Sequence, residues 1–181
     1  MRLVYAGLLG IAQNLLDIIE NVDFKKLGVE LHVYGEGNQR QKIEQFIVQH
    51  DTNVVYHGAL SKENVKKELV KYDVSLVPLA VTIKGAVPSK IFELMPLGIP
   101  ILFCGGGEAA NIIRNYNLGL TNEPKDYSSL IRNILTLKEM TEEQRKIFSL
   151  NCIETSAEHF DFNKQMNECY NFIVKISKRI V

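Results

Sequence analysis

Short apolar runs alternate with longer amphipathic segments along most of the chain. Runs rich in Leu, Val and Ile predict β-strands at residues 3–7, 29–35, 53–58, 73–79, 99–106 and 118–121. The segments between them carry apolar side chains at helical spacing. They predict helices at residues 11–21, 38–49, 61–72, 108–116 and within 88–100. Strands that alternate with helices favour a parallel sheet covered by helices on both faces.

After residue 121 the pattern predicts helices alone, at residues 126–140, 141–160 and 163–180. Ser61 and Thr141 are predicted N-caps, since their hydroxyls can accept a hydrogen bond from a free amide of the first turn. We therefore predict an α/β fold with a Rossmann-like, doubly wound parallel sheet of about six strands in residues 1–140. Residues 141–181 are predicted to be a helical C-terminal extension of the same domain.

Charge and cysteine content narrow the function classes. Lys plus Arg and Asp plus Glu number 21 each, so no net charge attracts nucleic acid. Cys104, Cys152 and Cys169 have no metal-ligand spacing, and an odd number argues against a disulfide framework. We predict buried thiols, no metal site and a reducing compartment. Without a signal-peptide pattern or a long apolar run, the predicted location is the cytoplasm.

Candidate ligand-binding residues follow the predicted strands, because open α/β sheets bind ligands at the carboxyl ends of their strands. These candidates are Gly7, Gly10, Gly37, His57, Gly58, Gly106, Gly107 and Glu108. Unhindered amides at a helix N-terminus suit an anion such as phosphate. Glycine turns are equally common as structural features, and the chain has neither the dinucleotide fingerprint nor a P-loop. The glycines alone therefore leave the ligand open.

The segment PSKIFELMPLGIP, residues 88–100, is almost entirely apolar but opens with a proline. Pro88 suits the first turn of a helix because it lacks the amide hydrogen that would be unpaired there. Val87 is a poor cap, so amides at this helix start are expected to be free for a ligand. Pro96 removes a helical hydrogen bond and is expected to kink the helix.

Ser89, Lys90 and Glu93 are the polar residues of this segment, and their spacing places them on one helix face. The spacing leaves two interpretations open. Lys90 could hold a phosphate while Glu93 accepts hydrogen bonds from sugar hydroxyls, or the two could form a weak surface ion pair.

The longer segment PSKIFELMPLGIPILFCGGGEAANII resembles the donor-site signature of retaining glycosyltransferases of the two-domain GT-B type. The family includes sucrose synthase and bacterial enzymes of surface-polysaccharide assembly. The segments VYAGLLGIAQNLLDII, LHVYGEGNQRQKI, NVVYHGALSKENVKKELVKYDVSLVPL and AEHFDFNKQMNECYNFI follow in the order typical of the family. The resemblance runs from about residue 3 to residue 175.

The resemblance implies a domain that binds a nucleoside-diphosphate sugar, expected to be a UDP-sugar. In the intact enzyme the sugar would pass, with retention, to a glycan or lipid-linked acceptor in polysaccharide biosynthesis, without a metal or other cofactor. The N-terminal acceptor domain of such enzymes has no counterpart here, so we expect this donor domain to be inactive by itself. The full-length protein is expected to be peripheral to a membrane. The last helix would contact that domain, so its apolar residues Met166, Tyr170, Phe172 and Ile173 are expected to be partly exposed.

The same resemblance implies roles for the candidate residues. Glu93 is implied to bind the ribose hydroxyls, and Lys90 to contact the diphosphate or the sugar; both are expected to be catalytic. Pro88 and Ser89 belong to the same signature. The remaining matches are Gly7 and Gly10 against the diphosphate, Gly37 in the turn after the second strand, and His57 and Gly58 in a base-contacting loop. For His57, a loop histidine without a ligand is the equally weighted alternative.

Two departures from the family pattern stand out. Gly85 occupies the position of the family's first motif glutamate; Glu108 could replace it, or could be a structural helix N-terminal acid. Gln13 and Asn14 stand where many members have Arg and Lys. The alternatives that stay open are a UDP-sugar epimerase-like domain and a non-catalytic nucleotide-binding module of the flavodoxin type.

Overall fold

The fold is built on one parallel sheet, seen in a computed structural model that describes residues 1–177. Its strands are β1 (Arg2–Ala6), β2 (Glu30–Tyr34), β3 (Val54–Tyr56), β4 (Val74–Pro78), β5 (Ile101–Cys104) and β6 (Gly119–Asn122). Their order in the sheet is β3-β2-β1-β4-β5-β6, and all neighbouring pairs are parallel. This is the doubly wound order of a Rossmann-like fold, so the predicted fold class is confirmed.

Helices cover both faces of the sheet and form the C-terminal region. They are α1 (Leu15–Asn21), α2 (Phe24–Leu27), α3 (Arg40–Gln49), α4 (Lys62–Leu69), α5 (Ser89–Leu94), α6 (Gly107–Asn115), α7 (Tyr127–Glu139), α8 (Glu142–His159) and α9 (Phe162–Ser177). Two short 3-10 helices, Ile11–Gln13 and Met95–Leu97, precede α1 and follow α5. None of the described helices is long and apolar enough to cross a membrane.

Alternate residues of the strands supply two separate cores. In β1, Leu3 and Tyr5 pack into the cluster on one face of the sheet, and Val4 packs into the cluster on the other. The β4 residues are all buried, as expected for a central strand between two helical layers. Burial on both faces explains why the strands appear in the sequence as continuous apolar runs.

Several predicted elements differ in detail. The predicted helix 11–21 is divided, because Asn14 adopts a left-handed conformation with φ of 58° between the 3-10 turn and α1. The helix α2 was not predicted; its N-cap is Asp23, whose carboxylate accepts a hydrogen bond from the Lys26 amide. Pro96 falls where α5 gives way to a 3-10 turn, in agreement with the expected distortion.

The two predicted caps have different outcomes. Thr141 forms a reciprocal capping box with Gln144, so this prediction is confirmed. Ser61 occupies the predicted N-cap position of α4, but its hydroxyl accepts no capping hydrogen bond. The Asn64 amide, which the hydroxyl would have satisfied, donates instead to the Ser61 carbonyl at 3.0 Å.

The C-terminal helices differ in how they pack. Cys152 of α8 is fully buried, and its sulfur lies 3.6 Å from the carbonyl oxygens of Ile99 and Leu118, either of which can accept the thiol hydrogen. Cys104 is also buried, but the prediction of a buried Cys169 is wrong because this residue lies on the exposed helix α9.

The apolar side chains of α9 are exposed as expected: Met166 52%, Tyr170 67%, Phe172 64% and Ile173 58%. Residues 178–180 of the predicted last helix lie outside the described residues.

Candidate functional site

Two pockets open at the carboxyl end of β1. One lies between β1 and β4, and the other lies between β1 and β2. The β1–β4 pocket, of about 360 Å³, is bounded by the end of β4 and the start of α5. The β1–β2 pocket, of about 330 Å³, is bounded by Tyr34, Gly35 and the loop after β3. Ala6, Gly7, Leu8 and Lys90 line both pockets. The pockets therefore lie side by side at the topological switch point, where doubly wound sheets bind ligands.

The loop after β1 is held by the loop after β2. The Gly7 amide donates to the Tyr34 carbonyl at 3.0 Å, and the Leu9 amide donates to the Glu36 carbonyl at 2.8 Å. Gly37 lies directly against this loop, since a Cβ atom there would be 2.3 Å from the Leu9 carbonyl oxygen. Gly37 therefore has a packing reason to lack a side chain and is not a pocket residue, whereas Gly7 lies between the pockets.

Gln13 also lines the β1–β4 pocket. Its side-chain oxygen is buried and has no hydrogen-bond partner among the described residues. Gly10, which lines neither pocket, leaves room for this oxygen, because a Cβ at residue 10 would be 2.7 Å from it. A buried unpaired acceptor is rare in native proteins, and a ligand or water donor can satisfy it.

The start of α5 forms one wall of the β1–β4 pocket. Pro88, Ser89 and Lys90 line this pocket. Pro88 is the N-cap, with φ of −59° and ψ of 129°, so α5 begins one residue later than predicted. No side chain caps this start. The loop from Val87 therefore brings an uncapped helix end to the pocket, as the sequence indicated.

Ser89, Lys90 and Glu93 lie on one face of α5, as their spacing predicted. The Lys90 ammonium contacts Glu93 Oε2 at 2.7 Å, and the Ser89 hydroxyl donates to Glu93 Oε1 at 3.2 Å. These contacts, first of all the hydrogen bond from Lys90, hold the pKa of Glu93 below its usual value. Lys90 and Glu93 thus form an ion pair, which is one of the two interpretations that their spacing left open. Glu93 lines a separate pocket between α4 and α5, to which Lys90 also contributes.

The loop between β4 and α5 is bound to the start of α6. The Gly106 amide donates to the Thr82 hydroxyl at 3.0 Å, and the Gly85 amide donates to Glu108 Oε2 at 2.9 Å. The residues Gly106, Gly107 and Glu108 do not line the β1–β4 pocket. Gly106 and Glu108 instead hold the β4–α5 loop, whose residues Ile83 and Ala86 line this pocket. Thr82 was not a candidate, because its contact depends on a residue 24 positions away.

His57 lines neither of the two pockets. Its imidazole stacks on Tyr34, with ring centroids 4.5 Å apart, and contacts the His32 imidazole. Gly58 has a left-handed φ of 81°, and its carbonyl accepts from the Gly35 amide at 2.9 Å. The next residues, Ala59 and Leu60, line the β1–β2 pocket. Tyr34 connects His57 to the β1–β2 pocket, since it lines this pocket and stacks on the His57 ring.

The described part of the chain contains no group of three or more His, Cys, Asp or Glu residues placed to hold a metal ion.

Comparison with known proteins identifies the family. Residues 2–139 match the family model described as Glycosyl transferases group 1. The chain belongs to this family. A comparison with curated protein sequences gives no significant match.

Solved structures of glycosyltransferases have the same fold as this domain. A mutant of TarM from S. aureus, solved in complex with Fondaparinux, alpha-GlcNAc-glycerol and UDP, matches at 19% identity and a TM-score of 0.76. Anabaena HepE, solved with UDP and glucose, matches at 16% identity and a TM-score of 0.75. The C-terminal domain of the group 1 protein LpcC from Francisella tularensis matches at 17% identity and a TM-score of 0.70.

These matches cover most of this domain but different shares of the other proteins. They include 94% of this chain for TarM and HepE, and 89% for LpcC. The chain spans 34% of the TarM chain, 48% of the HepE chain and 86% of the LpcC domain. The chain has the fold of one part of the GT-B glycosyltransferases TarM and HepE, and it spans less than half the length of each.

Proposed function

We propose that this domain binds the nucleoside-diphosphate sugar donor of a glycosyltransferase, and that the donor is a UDP-sugar. The observation that carries the proposal is the wall that the two pockets share. A ligand that fills both must cross Gly7 and Lys90, which places a cation and an unhindered backbone at its middle. A nucleotide sugar has this shape, with its charged diphosphate between two uncharged ends. UDP in the TarM and HepE structures supports the choice of nucleotide.

Lys90 is the group assigned to the diphosphate. Its ammonium has more N–H donors than the single contact with Glu93 uses, so it can bind phosphate oxygens without leaving the carboxylate. The uncapped start of α5 adds the positive end of a short helix nearby. The positive charge would stabilise the departing nucleoside diphosphate, which is the step at which charge develops.

Glu93 is assigned to the ribose hydroxyls. Its carboxylate oxygens each accept one hydrogen bond from the chain, from Ser89 and from Lys90, and each keeps capacity for another. Because Glu93 contacts Lys90 directly, a group bound to it would lie next to the diphosphate. The nucleoside would then extend towards the β1–β2 pocket and the sugar into the β1–β4 pocket.

The reaction proposed for the intact enzyme is transfer of the sugar, with retention, to a glycan or lipid-linked acceptor in polysaccharide biosynthesis. The family match and the two-domain neighbours support a transferase. An acceptor domain N-terminal to the matched region, a peripheral membrane association and a cytoplasmic location belong to the same proposal. The proposed mechanism uses no metal, and positions the donor with this chain's own residues.

The experiment that tests the proposal is calorimetric titration of the domain with UDP, GDP and ADP, and then with the UDP-sugars. We expect UDP to bind more tightly than the other nucleotides. Lys90→Met should weaken UDP binding by about tenfold, which corresponds to loss of one charge-assisted contact. Lys25→Met is the matched control, because Lys25 also forms an ion pair, with Asp51, and neither of these two residues lines the two pockets.

A second variant separates ligand binding from folding. Glu93→Ala should weaken UDP binding while the melting temperature stays close to that of the parent, since surface ion pairs contribute little stability. A lower melting temperature with unchanged affinity would assign Lys90 and Glu93 to a structural ion pair alone. Absence of binding by every nucleotide at millimolar concentration would refute the donor-site proposal.

A further inference from the structure

A hydrogen-bonded chain of three titratable residues lies beside the site, at the edge of the sheet formed by β2 and β3. Glu30 Oε2 is 3.1 Å from His32 Nε2, and His32 Nδ1 is 2.8 Å from His57 Nε2. The Glu30 and His32 residues belong to β2, and His57 directly follows β3. The His32 side chain is only 14% exposed, whereas Glu30 is 54% exposed. One imidazole thus connects a surface carboxylate to a second imidazole.

Other titratable groups face this chain from β2, β1, α4 and the turn after α4. Tyr34 stacks on His57 and donates its hydroxyl hydrogen to Glu68 Oε1 at 3.1 Å, while Tyr72 packs against His32. The charges nearby are those of Glu68, its ion-pair partner Lys71, and Arg2, whose guanidinium lies 5.6 Å from the Tyr72 ring centroid. Partial burial and then the charge of His32 lower the pKa of His57, while Glu68 raises it.

The contacts fix where the hydrogens lie when both imidazoles are neutral. The Glu30 carboxylate can only accept, so His32 must carry its hydrogen on Nε2. His32 Nδ1 is then an acceptor, and His57 must carry its hydrogen on Nε2 to donate to it. This leaves His57 Nδ1 as a lone pair, and no hydrogen bond to another described residue involves it. In the neutral state the outer edge of His57 is therefore a hydrogen-bond acceptor.

We propose that Glu30, His32 and His57 form a proton-responsive chain that reverses the hydrogen bonding of the outer edge of His57. A proton from solvent binds His57 Nδ1, the hydrogen between the rings passes from His57 Nε2 to His32 Nδ1, and the positive charge comes to lie on His32. His32 then donates to Glu30 through Nε2 and to His57 Nε2 through Nδ1. His57 stays neutral but becomes the rarer Nδ1–H tautomer, and its outer edge becomes a donor.

The charge settles on His32 because of its position between two acceptors. As an imidazolium it donates to a carboxylate on one side and to an imidazole nitrogen on the other. A charge on His57 would keep the hydrogen bond to the His32 nitrogen but would have no carboxylate partner. The second proton is opposed by the positive charge already on His32, since the two rings are in direct contact. The pair therefore accepts one proton readily, and the accepted proton changes His57 from acceptor to donor.

The inference concerns side chains of the described domain and does not rest on the proposed function. Its consequence for the site is local: His57 is joined to the pocket through Tyr34 and through the following residues Ala59 and Leu60. A polar group that binds the outer edge of His57 would have to be a donor in the neutral state and an acceptor after protonation.

The test is a pH titration of the ligand-free domain, followed by ¹⁵N and ¹³C NMR of the histidine rings. We expect His57 to pass from the Nε2–H to the Nδ1–H tautomer at the pH where His32 becomes an imidazolium. His50 and His159, elsewhere in the chain, serve as internal references. The proposal is overturned if His57 itself becomes the imidazolium in the one-proton state, or if neutral His32 carries its hydrogen on Nδ1.

Two variants test which of the two histidines holds the positive charge. In His32→Gln no neighbouring ring remains to take the charge, so His57 itself should become the imidazolium when it takes up a proton. In Glu30→Gln the anionic acceptor is lost, and the first proton should be taken up at lower pH. Glu20→Gln, on the exposed face of α1, is the matched control and should leave both rings unchanged. An identical titration of His57 in the His32→Gln variant and the parent would refute the chain.

Discussion

The amide of Gly85 donates a hydrogen bond to the Glu108 carboxylate at 2.9 Å, and this contact joins the β4–α5 loop to the first turn of α6. With the hydrogen bond between Gly106 and Thr82, it holds the loop that closes one side of the β1–β4 pocket. Gly85 stands where the resemblance placed an acidic residue, and Glu108 brings a carboxylate to the same point from another element.

Glu108→Ala should release this loop. The Gly85 amide stabilises the carboxylate form and lowers the pKa of Glu108. A lowered folded-state pKa means that the contact contributes above the unfolded-state pKa and is lost as pH falls through the folded-state value. Hydrogen exchange should therefore report a severalfold lower protection factor for the Gly85 amide in Glu108→Ala, and in the parent protein at acid pH.

The control for this experiment is Glu63→Ala, which removes a first-turn glutamate from α4 instead of α6. It should leave the protection of the Gly85 amide unchanged. Equal protection in the parent and in Glu108→Ala would mean that the loop is held without this hydrogen bond.

Gly37→Ala should destabilise the domain much more than Gly58→Ala. Both glycines have positive φ, at 155° and 81°, so both substitutions strain the backbone. The Gly58 variant meets no atom within 4 Å and should lose about 1–2 kcal/mol from the backbone alone. The Gly37 variant also forces a Cβ to within 2.3 Å of the Leu9 carbonyl. Urea denaturation measures both, and equal losses would contradict the packing role of Gly37.

The sequence predicts the sheet well because burial on both faces leaves a signal in each strand. Leu76 and Val77 point to opposite cores, and both must be apolar. The divided first helix was not predictable in the same way, since the left-handed conformation of Asn14 depends on packing around it. The spacing of Lys90 and Glu93 predicted their shared face because it follows from helix geometry alone.

The pattern of apolar and polar residues does not predict side-chain contacts between elements that are distant in the sequence. His57 is 25 residues from His32, and the two meet only because β2 and β3 pair in register. Thr82, in the loop after β4, likewise meets Gly106 only because β4 and β5 are neighbours in the sheet. Glycine positions indicated where the chain turns at the sheet edge, but the structure was needed to separate Gly7, between the pockets, from Gly37, packed beneath a loop.

Thiol reagents should distinguish the three cysteines. Burial raises the pKa of Cys104 and of Cys152 to about 12, so neither thiol is ionised or accessible in the folded protein. Cys169 is exposed on α9. Titration with a chromogenic disulfide at pH 8 should therefore modify one thiol rapidly, and Cys169→Ser should abolish the rapid phase. Denaturant should restore the reaction of the other two. Rapid modification of Cys152 in the folded variant would contradict the burial of this α8 side chain.

The two phenylalanines Phe172 and Phe103 should differ sharply in their contribution to the stability of this domain. Phe172 is 64% exposed on α9, so Phe172→Ala should change the free energy of unfolding by no more than about 0.5 kcal/mol. Phe103 is fully buried in β5, and Phe103→Ala should cost about 3–5 kcal/mol. Chemical denaturation of both variants against the parent gives the comparison. A large loss for Phe172→Ala would mean that the apolar side of α9 packs against the domain in solution.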